Sequence, residues 1–132
     1  MKMARRARTL RVVLLVGWFW LGIGLGILLG TVWLERTHAQ SVEVSAAIHE
    51  AAATYGVSEG WMRKIAWCES RFTPWVTSRG GHAGLFQYSW GTWATMSRWA
   101  GYEGASPYDP WSASMVTAYA LSHGMASHWA CR

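Results

Sequence analysis

The chain has 132 residues, enough for one modest domain and little else, and its 12 lysines and arginines against 7 acids give a formal net charge of +5. The excess sits at the start: Lys2, Arg5, Arg6, Arg8 and Arg11 precede any acid, while from Ser41 onward six bases meet six acids. A globular part without net charge removes the electrostatic argument for nucleic acid, and no nucleic-acid partner is expected.

Residues 1–11 read as a basic cytoplasmic segment. Val12 to Leu34 is uncharged and overwhelmingly apolar, and as a helix it would reach about 34 Å, across a hydrocarbon core of about 30 Å. The run is longer than the h-region of a cleavable signal, so a retained single-pass anchor is expected, in the cell membrane with the rest of the chain extracytoplasmic. The alternative is secretion after cleavage near Thr37-His38-Ala39. Gly22, Gly26 and Gly30 recur every four residues, which puts them on one helix face where two copies could approach as a homodimer. Residues 35–44 read as a linker and 45–132 as the domain.

That domain reads as all-α. Val44, Ile48, Ala52 and Tyr55 share one face of a first helix, ended by Gly56. Ser58 is an N-cap for a second helix whose stripe is Trp61, Ile65 and Cys68. Phe72 to His82, with Pro74 and Gly80-Gly81, reads as loop. A third helix is expected from Ser89 or Trp90, with Trp93, Met96 and Ala100 inward and a stop at Gly101. Asp109-Pro110, an N-cap followed by proline at the first helical position, opens a fourth helix through Met115, Val116 and Tyr119 to Leu121. A short helix or turn near residues 126–129 closes the chain.

The chemistry concentrates around Glu69. It lies near the end of the second helix, at the negative end of the macrodipole and close in sequence to Trp67 and Phe72. Both influences disfavour a carboxylate and raise its pKa, as a general acid at neutral pH requires; a solvated glutamate at a helix end is the plainer alternative. In Gly84-Leu85-Phe86-Gln87 an apolar pair is followed by an amide that can donate to and accept from sugar hydroxyls or an acetamido group. The chain has 11 tryptophans. Trp61, Trp93 and Trp129 suit a core, while Trp67, Trp75, Trp90, Trp99 and Trp111 could equally line a groove in which sugar rings stack. Cys68 and Cys131 are the two cysteines, and export to an oxidising compartment would let them pair, the alternative being two buried thiols. The histidines show no metal-ligand spacing, and neither a metal nor another cofactor is expected.

Cys68-Glu69-Ser70, then Gly84-Leu85-Phe86-Gln87, then Trp129 and Cys131 resemble the lysozyme-like soluble lytic transglycosylase (SLT) domain of bacteria and their phages, over residues 45–131. The resemblance implies a small, goose-type/SLT helical fold acting on peptidoglycan glycan strands. It also implies roles: Glu69 as catalytic acid and base, Ser70 steadying it, the Gly84–Gln87 stretch in the glycan groove, and a late tyrosine, Tyr119, approaching the glutamate. Members with a cysteine before the glutamate often pair it with one near the end, which agrees with Cys68 and Cys131. The family's asparagine after the tyrosine is Ala120 here.

Glycosidases usually need two carboxylates, yet beyond Glu69 the second half of the chain has only Glu103 and Asp109, and Asp109 reads as a cap. The resemblance implies a solution: the N-acetyl group of N-acetylmuramic acid assists, Glu69 acts as acid and then base, and a 1,6-anhydro sugar leaves. A hydrolytic muramidase, favoured if Glu103 faces Glu69, a phage endolysin, and a non-catalytic glycan-binding module are the alternatives.

Overall fold

The computed structural model describes residues 2–130, with side chains from residue 29 onward. Four helices follow one another, α1 (Lys2–Tyr55), α2 (Glu59–Ser70), α3 (Trp90–Trp99) and α4 (Pro110–Ser122), before a single 3₁₀ turn at Ala126–His128. The chain divides into two units, Met1–Ala39 and Gln40–Arg132.

In the first unit, the expected membrane span at 12–34 falls for the most part outside the described side chains, as do Gly22 and Gly26 of the expected dimer face. Leu29, Val32, Trp33 and Leu34 are exposed, and Gly30 has open space around it. Among the described residues no helix is long and apolar enough to cross a membrane. Residues 35–44, read as a linker, are helical. From Thr31 to Tyr55 the sequence has no glycine or proline to break a helix.

In the second unit the core forms around α4. Every residue from Ser112 to Ala118 is buried, followed by Ala120 and Leu121. A helix covered on all sides must be apolar or small throughout, and the run Ser-Ala-Ser-Met-Val-Thr-Ala meets that condition mainly by being small. Its start is fixed by Asp109, whose Oδ2 accepts from the Ser112 amide at 2.8 Å and its hydroxyl at 2.6 Å, with Pro110 in the first turn. Val44, Ile48, Ala51 and Ala52 of α1 join this core, and Gly56, at φ +64°, ends the helix as expected.

Ser58 caps α2 by accepting from the Trp61 amide at 3.2 Å. The buried stripe of this helix is Met62, Ile65 and Ala66, not Trp61, Ile65 and Cys68: Trp61 is half-buried and Cys68 exposed. The two stripes share Ile65 and differ by a rotation of about one residue, 100°. Glu59 fastens the start of α2 to α1, accepting from Arg63 Nε at 2.7 Å and meeting His49 Nδ1 at 2.8 Å, while Arg63 Nη2 donates to Ser45 at 2.7 Å. Those partners, His49 first, hold the Glu59 carboxyl below its usual range.

The segment between α2 and α3 is a loop, as expected, stiffened by two isolated antiparallel bridges, Thr77 with Ala83 and Ala83 with Tyr88. Ala83 and Tyr88 exchange two backbone bonds, at 2.8 and 3.0 Å, and Gly84 donates to Val76 at 2.9 Å. Ser89 then caps α3 by accepting from the Thr92 amide at 3.2 Å. Trp93 and Met96 point inward, Ala100 is half-buried, and Gly101 at φ +80° stops the helix.

Candidate active site

Glu69 is the penultimate residue of α2, and the chain turns sharply after it. Arg71 and Phe72 both adopt left-handed backbone, at φ 54° and 59°, a conformation that costs a non-glycine residue about 1–2 kcal/mol. The turn is held by the Arg71 amide donating to Trp67 O at 3.1 Å and the Phe72 amide to Ala66 O at 3.3 Å. Side chains add to it: the Arg71 guanidinium lies 4.6 Å from the Trp67 ring centroid on one side, and Phe72 packs 5.8 Å from the same ring. Arg71 is thus turned onto Trp67 rather than toward the carboxylate. Strained backbone beside a titratable group in a cleft is a feature of functional sites.

Ser70 ties this turn to the next. Its buried hydroxyl donates to Leu85 O at 2.7 Å, with Ala66 O at 3.1 Å, and accepts from the Thr73 amide at 3.2 Å. A hydroxyl so committed has little left to offer a substrate; it positions the end of α2 against the Gly84–Gln87 turn.

That turn also differs from expectation. Leu85 and Phe86 are fully buried, so their side chains belong to the core and have no surface to offer a glycan. Gly84 is required by packing: at φ +80° an added Cβ would lie 1.9 Å from Pro107 O. Gln87, at φ 51°, does reach the cleft. Its Nε2 donates to Gly84 O at 2.8 Å and Val76 O at 3.2 Å, so the donors expected to serve a ligand are spent on backbone and the amide oxygen is left to accept.

Glu69, Gln87, Ser78 and His82 line one cleft of about 380 Å³ with Tyr88, Ser89 and Thr92 and with His128, Trp129 and Ala130. Burial pushes the Glu69 carboxyl above its usual range, and the His82 charge opposes that rise. His82, in the loop, was not among the expected site residues; only its place in the fold brings it to Glu69. Its ring sits against Ser78, with Oγ to Nδ1 at 3.4 Å. Tyr88 is buried with its hydroxyl 2.8 Å from Thr117 Oγ1 of α4, and that burial holds the phenol far above its ordinary pKa. Trp129 donates from Nε1 to Phe86 O at 2.9 Å and packs edge-on to Tyr88 at 5.6 Å.

Tyr119 is not in this cleft. Its ring meets Tyr55 edge-on at 5.9 Å and lies 4.1 Å from His123, a cluster at the end of α1, which corrects its expected approach to the glutamate. Glu103 accepts from Arg98 at 3.0 Å on the surface and Asp109 caps α4, so among the described residues lining the cleft Glu69 is the one carboxylate. Cys131 lies outside the described residues, and no described cysteine is free.

No curated protein and no solved structure matches this chain. Residues 46–128 match the family described as the transglycosylase SLT domain. The matched span takes in α2, the Gly84–Gln87 turn, α3 and α4, and with them the cleft up to His128, so the chain belongs to the transglycosylase SLT domain family.

Proposed function

We propose that the protein is a peptidoglycan lytic transglycosylase in which Glu69 serves as acid and then as base. Family membership carries peptidoglycan as the class of substrate. The observation that carries the finer reading is that Glu69 is the one carboxylate among the described residues lining the cleft. A hydrolase of the two-carboxylate kind needs a second acid across the bond to activate water or attack the sugar, and Glu103, the candidate for that place, is paired with Arg98 instead.

With one carboxylate the substrate supplies the nucleophiles. Protonated Glu69 gives its proton to the glycosidic oxygen of the leaving N-acetylglucosamine. As the bond from the muramic anomeric carbon breaks, the oxygen of the neighbouring N-acetyl group bonds to that carbon. Glu69, now a carboxylate, takes the proton of the muramic 6-hydroxyl; O6 displaces the acetamido oxygen, and the 1,6-anhydro ring closes with no water consumed. The raised pKa of Glu69 favours the protonated form that the first step needs. Gln87 lines the cleft, and its amide oxygen is the group left to accept from a sugar hydroxyl or an acetamido N–H.

The apolar run 12–34 anchors this activity in the cell membrane with the domain outside, and Cys68 pairs with Cys131, as the two cysteines of an exported chain can. The deciding experiment is digestion of purified peptidoglycan by the detergent-solubilised full chain, followed by mass spectrometry. Fragments lighter by one water at the muramic end are expected. Reducing ends would assign hydrolysis instead, and no fragments would remove the enzymatic reading.

A further inference from the structure

Five tryptophans of the second unit, Trp67, Trp75, Trp90, Trp99 and Trp111, are exposed. Four do not line the Glu69 cleft or open onto it: Trp67 is covered on one face by Arg71, Trp90 packs edge-on to Tyr108, and Trp75 and Trp111 lie elsewhere. Trp99 differs. It borders a second groove of about 250 Å³ on the outer face of α3, and that groove shares Thr92 and His128 with the cleft of Glu69. The two spaces adjoin, with Thr92 and His128 lining both.

We propose that the outer face of α3 is a further saccharide subsite, in which Trp99 stacks on a pyranose ring of a glycan strand whose scissile bond lies at Glu69. This rests on the functional reading above and extends it from the reacting sugars to the strand beyond them. Thr92, Thr95, Met96 and Trp99 recur at intervals of three and four residues, so they form one ridge of the helix. The ridge is amphipathic in the way a pyranose is. Met96 is a buried apolar floor, Trp99 offers an indole more than half in water, at 57% exposure, and Gly91 leaves open backbone where a side chain would stand. Around them the Thr95 hydroxyl donates to Gly91 O at 3.1 Å and keeps lone pairs for a sugar hydroxyl, while Thr92, which accepts from Ser89 at 2.8 Å, keeps its proton to donate. Among the described residues no carboxylate, lysine or arginine lines the groove, which suits a neutral N-acetylated sugar better than an ionic ligand. An exposed tryptophan beside the space that holds the acid is suited to anchor a strand rather than to take part in the chemistry.

The test uses the full chain in detergent with uncrosslinked glycan strands of graded length, read by steady-state turnover and by quenching of tryptophan fluorescence. For long strands Trp99→Ala is expected to raise KM and Kd about tenfold with kcat unchanged. For the shortest fragments that are still cleaved it should match the parent protein, so the dependence of affinity on length disappears. Trp111→Ala, an exposed tryptophan outside both spaces, should behave as the parent protein at every length. Unchanged KM and Kd for Trp99→Ala at all lengths would overturn the subsite while leaving the transglycosylase reading intact. If the parent protein binds strands but does not cleave them, the enzymatic reading fails and the Kd comparison still decides the subsite. Absence of binding by the parent protein overturns both.

Discussion

At Glu69 two influences of opposite sign meet. Burial raises the carboxyl's pKa and the charge of His82 lowers it. A general acid works in its protonated form, so activity should fall as pH rises through this elevated pKa. His82→Ala removes the lowering influence alone, and the alkaline limb of kcat/KM against pH is expected to move to higher pH; a move to lower pH would show that the imidazole acts on Glu69 in another way. The same shift bears on stability. A carboxyl whose folded pKa exceeds its unfolded value binds its proton more firmly when folded, so its contribution is fully present in acid and is lost as pH rises through the folded pKa. Glu69→Gln replaces a charge that the cleft disfavours with a neutral amide of the same shape. It should cost about 10²- to 10⁴-fold in turnover or more, with a thermal midpoint at neutral pH no lower than that of the parent protein.

Between residues and molecule stand two turns, the left-handed end of α2 and the Gly84–Gln87 turn, joined by the Ser70 hydroxyl. Gly84→Ala sets a left-handed alanine against a backbone carbonyl, and the two faults together should destabilise by about 3 kcal/mol in denaturant titration. Ser70→Ala leaves the Leu85 carbonyl without its partner and the Thr73 amide with the Ser70 carbonyl as its one acceptor, for about 1–3 kcal/mol, and by loosening the seat of Glu69 it should lower kcat more than it raises KM. These turns also mark where the sequence stops being legible. Ser58, Ser89, Asp109-Pro110, Gly56 and Gly101 announce helix ends because a cap is made within three or four residues of itself. Glu69 could be singled out for a similar reason, since its helix end and aromatic neighbours are local. The burial of Leu85 and Phe86, the distance of Tyr119 from the cleft and the presence of His82 within it depend on contacts between segments far apart in the chain. The central place of α4 was hidden by its serines and threonine, which look polar in sequence and are small enough to pack: Thr117 spends its hydroxyl on Tyr88.

Across the whole domain, the chain's last described residues close its site. His128, Trp129 and Ala130 form one wall of the cleft, and Trp129, 3% exposed, is pinned by Phe86 O and by the Tyr88 ring. A wall built of irregular chain is only as firm as its ties. A bond from Cys131 to Cys68 would tie the wall to the residue next to Glu69, fixing both sides of the cleft with one link. Closing so long a loop is worth about 4 kcal/mol in the chain-entropy account. Reduction should therefore lower the thermal midpoint of the parent protein and its turnover together, since a fraying wall exposes Glu69 and removes the burial that raises its pKa. Cys68→Ser should show both losses without reductant and no further change with it. Thiol titration of the unreduced, denatured chain supplies the independent check: no reactive thiol is expected, and two would show that the wall is held by Trp129 alone.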